Sequence, residues 1–225
     1  MVRTIMKHTI KILLGFVFLS VVFAGCANAQ NLPNQNRQTN ESISNPDLST
    51  DEGVIAEVHK RIDAEREKAG ITGGSKPKVC VRRLKESEEI IVIGFFRYDY
   101  GCHFEGAFVG SRFFEKTEIE MHQNALDALG WEKAPIKERE QLAKFWVEKG
   151  LLTFFTVLYT KQKELENQDF HPPKVVSTEK GEIKVTLWIR LPGGRNRTKR
   201  FQHLEYRFTK DGGFSGTSTL ENLAI

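Results

Sequence analysis

Hydrophobic and polar positions divide this chain into stretches of sharply different character. Residues 12–23, ILLGFVFLSVVF, are apolar without interruption. Residues 27–48 are rich in Asn, Gln, Ser and Pro, with few large apolar groups to offset the entropy of ordering, and read as a flexible tether. Periodic patterns begin at Ser49. Ser49 and Glu52 stand at capping-box spacing, Val54, Ile55, Val58 and Ile62 share one helical face, and Gly70 ends the run. This predicts an amphipathic helix.

Strand patterns follow in VCVRRL (residues 79–84) and in residues 88–114. Ile90 to Phe96 are apolar at both alternating parities, which predicts a central strand covered on both faces. Two helices come next. Thr117 and Glu120 are spaced to cap the first, with Ile119, His122, Leu126 and Leu129 inward and Gly130 as its stop. Pro135 opens the second, carrying Leu142, Phe145 and Trp146, and Gly150 closes it. LLTFFTVLYT (residues 151–160) is apolar at both parities and fits a buried strand or a continuing helix; strand is the preferred reading. Residues 182–191 alternate cleanly, placing Ile183, Val185, Leu187, Ile189 and Leu191 on one face and Lys184, Thr186, Trp188 and Arg190 on the other. Two more strands follow across turns, the first with Leu204, Tyr206 and Phe208 inward. The expected fold is therefore α+β: one domain over residues 49–225, a mostly antiparallel sheet with three helices packed on it.

The apolar run gains meaning from its flanks. A short cationic start, MVRTIMKHTIK, precedes it, and twelve residues suit a secretory signal better than a bilayer span of about 20. Residues 1–25 are read as a signal peptide. Two cleavage patterns follow. FAGC (residues 23–26) resembles the lipobox of bacterial lipoproteins, with Phe23 where that family prefers leucine; this resemblance implies lipidation of Cys26 and a tether over residues 26–48. ANA (residues 27–29) before Gln30 equally fits ordinary small-x-small cleavage. The lipoprotein reading is preferred, with residence in the bacterial cell envelope, and a periplasmic or secreted protein is the other outcome.

Export changes both charge and cysteines. The net charge of +4 falls to +1, 30 basic against 29 acidic residues, once residues 1–25 are removed. A near-neutral protein has no field to steer nucleic acid, which is set aside as a partner. With Cys26 lipidated or removed, Cys80 and Cys102 remain as a pair in an oxidising compartment and are expected to form a disulfide.

Candidate chemistry is sparse. In GFFRYDYGCHFEG (residues 94–106), alternation sets Phe96, Tyr98, Tyr100, Cys102 and Phe104 on one face and Arg97, Asp99, His103 and Glu105 on the other, provided no bulge at Gly101 shifts the register. His203, Glu205 and Arg207 share a face in the same way. Each His-x-Glu pair spans about 7 Å along a strand, so two neighbouring strands could assemble four ligands for zinc or a similar ion. A solvated face of cross-strand pairs is the preferred reading. Trp188 and Arg190 could contact a sugar or peptide, and Arg195 and Arg197 on the LPGGRNRTKR hairpin could grip an acidic group. Packing beneath a helix and a solubilising turn are the commoner roles of such residues. GxSxG, HExxH and phosphate-loop patterns are absent from the sequence, and no cofactor is called for. The resulting expectation is an exported, membrane-tethered, non-catalytic binding module taking a protein, glycan or small ligand through a sheet face. A metal-dependent hydrolase or metal-binding protein using His103, Glu105, His203 and Glu205 is the alternative.

Overall fold

Thr50 starts the first helix, α1 (Asp51–Lys68), by accepting the Gly53 amide at 3.1 Å. The cap is thus one residue later than the expected Ser49, whose hydroxyl and amide are both taken by the Asp47 carboxylate. Gly53 is required there, because a Cβ would lie 2.0 Å from the Asp47 carbonyl. The computed structural model describes residues 46–98, 101–191 and 198–224. The signal region, Cys26, most of the tether, Asp99, Tyr100, Arg195 and Arg197 lie outside the described residues. Leu48 packs beside α1, so contacts of the folded part reach just ahead of residue 49.

The α+β class is as expected; among the described residues all strand pairings are antiparallel and there are three α-helices, but the strands form two sheets where one was expected. The first sheet is a meander of β1 (Val79–Leu84), β2 (Ser87–Arg97), β3 (Gly101–Val109) and β4 (Arg112–Glu115). The second runs β5 (Thr156–Val157), β7 (Ile183–Leu191), β8 (Arg200–Phe208) and β9 (Phe214–Ala224), with β6 (Lys174–Ser177) beside β5 along the same edge of β7. Between the two meanders come α2 (Ile119–Ala128) and α3 (Ile136–Phe145).

Alternation on β2 decides the layering. Ile91 and Ile93, with Phe108 of β3, pack under Val54 and Val58 of α1. Ile90 and Val92 point the other way, into the largest core, which gathers Met121, Ala125 and Leu126 of α2, Trp146, and the inner face of β7 and β8. β2 is therefore covered on both faces, as its sequence predicts.

Local details depart from expectation where packing outweighs pattern. α2 begins after Glu118 rather than on a Thr117 cap, and Glu118 instead accepts the Glu115 amide at 2.7 Å. Its buried face is Met121, His122, Ala125 and Leu126, leaving Ile119 66% exposed. Gly150 does not stop the helix after α3. The chain continues as a π-helical turn, Trp146–Leu151, in which a Cβ on Gly150 would meet the Trp146 ring at 2.2 Å. The expected strand over residues 151–160 shrinks to β5. Its apolar residues are spent on the helix end (Leu151), on Leu152 in the core and on Phe154, which covers Gly94.

Candidate functional site

The face of the first sheet that carries α1 is only partly covered, and a groove of about 500 Å³ opens between them. Val58 and Ile62 of α1 form one wall; Phe95 of β2 and Phe113 of β4 form the other. Charged side chains of both signs surround this apolar floor. The Arg61 guanidinium lies 5.8 Å over Phe108 and 5.7 Å over Phe113, and it is tied to Glu57 at 3.1 Å. Such stacking keeps an aromatic floor beneath a cation without closing the groove.

Glu105 reaches this groove because β3 is bulged. Ile93 pairs with Gly106 and Gly94 with Phe104, so Glu105 is the extra residue with no partner on β2. A bulge bends a strand and re-aims its side chains. Gly106 allows the tight return, since a Cβ there would lie 2.3 Å from the Phe114 carbonyl. The Glu105 carboxylate, only 16% exposed, accepts from Lys116 Nζ at 2.7 Å and lies 3.5 Å from Arg97. His103, in register with Phe95, meets the Phe155 ring edge-on at 5.8 Å. Burial and then the Arg97 charge lower its pKa. Of the polar set expected on one face of this strand, Arg97 and Glu105 form an ion-paired cluster with Lys116, while the bulge re-aims Glu105 relative to His103.

The second pair sits elsewhere. His203 lies on the outer face of the second sheet, stacked on Trp188 at 4.8 Å and 10°. The His171 ring stands edge-on to it at 5.0 Å, and Glu221 lies 3.8 Å away. Burial, and next the neighbouring His171, lower the His203 pKa. Glu205 is occupied by Arg207 at 2.8 Å. Because β3 and β8 belong to different sheets, they cannot pair as the shared-metal arrangement needs. Among the described residues no group of three or more His, Cys, Asp or Glu is placed to hold a metal ion. Trp188 is fully buried beneath Leu158 and Leu165, so it packs as core rather than offering a ligand surface. Arg190 is exposed on the same strand.

Cys80 and Cys102 are joined by a disulfide with Cα atoms 6.2 Å apart. It ties β1 to β3 across the strand between them, beside the β2–β3 hairpin that delivers His103 and Glu105. The sequence pattern singles out Glu105 only as a metal ligand and does not mark Phe95, Phe113 or Lys116 as groove residues. The glycine after Glu105 was the one local signal of a bulge. No helix among the described residues is long and apolar enough to cross a membrane. No protein-family model, curated protein or solved structure matches the chain.

Proposed function

We propose that this chain is an exported, lipid-anchored binding protein whose folded domain takes a small ligand or peptide side chain in the groove beneath α1. The groove carries the reading. Pockets of a few hundred Å³ with an apolar floor and a few fixed polar groups are the usual form of ligand sites, and this one combines Phe95 and Phe113 with the Glu105–Lys116 ion pair. An apolar body stacks against the rings, and a polar group exchanges hydrogen bonds with Glu105 or Lys116.

Export and anchoring rest on the cationic start, the apolar run of residues 12–23 and the Cys26 context. A disulfide within the fold suits an oxidising compartment. The 26–48 segment, polar and poor in large apolar groups, supplies the reach that lets the domain stand off a membrane.

Methyl and aromatic NMR of the exported protein, screened with small aromatic amines, acids and short peptides, tests the binding claim. Shifts clustered on Val58, Ile62, Phe95 and Phe113, and altered by Glu105→Gln, are expected. Shifts confined to other surfaces, or none, contradict it.

A further inference from the structure

A second pocket, of about 570 Å³, opens where the β1–β2 turn meets the π-helical turn. Its walls are cationic. Arg82, Arg83 and Lys85 come from β1 and its turn, and Lys149 comes from the π turn. Against these four stand only Glu86 and Glu148. Arg82, Lys85 and Lys149 have no carboxylate within ion-pair distance among the described residues, whereas the cations of the α1 groove are largely matched by acids.

Glu148 does not neutralise them. It is 8% exposed and already engaged, with Lys144 Nζ at 2.8 Å and the Tyr159 hydroxyl donating to it at 3.0 Å. Burial and this carboxylate together push the Tyr159 phenol up to about 12, so it stays a hydrogen-bond donor. The effect of the buried acid is to hold the Tyr159 ring, itself half exposed, as one wall of the pocket. Arg83 is held by Asp51 through Nε at 3.0 Å, and its buried Nη2 has no acceptor. That clamp fixes the Arg83 guanidinium at the pocket wall, where its charge adds to those of Arg82, Lys85 and Lys149.

We infer that this pocket binds an oxyanion carried on a sugar ring, a phosphorylated or uronate sugar. Arg82, Arg83, Lys85 and Lys149 receive the negative group. Phe155 and Tyr159 offer faces to the ring, and Thr153 and Thr156 offer hydroxyls to its polar edge. This site is independent of the α1 groove and of export.

The test is calorimetric and NMR titration of the disulfide-bonded protein at low salt with glucose 6-phosphate, glucuronate, inorganic phosphate and glucose. Saturable binding of both anionic sugars is expected, tighter than phosphate and absent for glucose, with amide shifts at Thr153 and Tyr159. The double variant R82E/K149E, altered only at exposed side chains, is expected to keep its Tm and lose affinity at least about tenfold. Lys68→Glu, in the other groove, leaves the affinity unchanged. Absence of saturation at about 20 mM, a threshold for affinity weaker than the millimolar range, overturns the site. So does binding that R82E/K149E does not weaken. Phosphate binding as tightly as glucose 6-phosphate overturns the sugar assignment.

Discussion

His122 makes this fold sensitive to mild acid. The ring is 4% exposed, stacked on Phe214 at 4.0 Å, and its Nδ1 accepts the Trp146 indole N–H at 3.2 Å. That bond requires an unprotonated Nδ1, so the neutral ring carries its hydrogen on Nε2. Burial lowers the pKa from 6.5 to about 4. An unfolded chain therefore takes up a proton that the folded one refuses. This stability is fully present above 6.5, falls as pH drops toward 4, and is lost below it. The displacement from 6.5 to about 4 corresponds to about 3 kcal/mol, a large part of what a domain has to spare. Urea unfolding across this range, for the native protein and His122→Asn, isolates the effect. Asparagine keeps an acceptor near the indole but does not titrate, so carboxylate contributions common to both proteins cancel. The native protein is expected to lose about 3 kcal/mol more than the variant between about pH 7 and pH 4. Parallel pH curves, or an NMR titration of His122 near 6.5, refute the reasoning.

Other perturbations have equally definite outcomes. Replacing Cys80 and Cys102 by serine, which opens a loop of 22 residues, lowers stability in urea by about 3 kcal/mol on the chain-entropy model; an unchanged midpoint contradicts the bridge. Gly150→Ala drives a methyl into the Trp146 ring and is expected to cost about 1–3 kcal/mol, read as a lower Tm. Trp188→Ala empties a fully buried site and costs about 3–5 kcal/mol; loss of ligand binding at full stability would instead restore Trp188 as a contact residue. Glu105→Gln changes stability by less than about 1 kcal/mol, because its partners Arg97 and Lys116 are solvated, while shifting ligand affinity in the groove.

What could be read in the sequence was what local periodicity governs. α1 announced its inward face through Val54 and Val58, and β7 through Ile183, Val185, Leu187 and Ile189, because 3.6- and 2-residue periods follow directly from backbone geometry. Division into two sheets was not legible, since strand pairing is a long-range choice: β7 pairs with β8 next to it in sequence, but also with β5 and β6 before it. The helix past Gly150 hid for a different reason. Glycine usually ends helices, but here it makes room for the Trp146 ring. The His-x-Glu pairs looked equivalent as text, yet β3 and β8 carry them to separate sheets, leaving one in an ion-paired cluster and the other against Trp188. The groove itself depends on the bulge at Glu105 and on Phe113 from β4 meeting α1, neither of which a local pattern encodes.

We propose that this is an exported, lipid-anchored domain whose disulfide suits an oxidising compartment. Intact and peptide mass measurement of the full chain expressed in a bacterial host tests it most directly. The predicted result is a chain beginning at Cys26 with a lipid-sized increment, and Cys80 joined to Cys102, two hydrogens lighter than the reduced form. A chain that keeps Met1 to Gly25, with free thiols and no lipid, contradicts it.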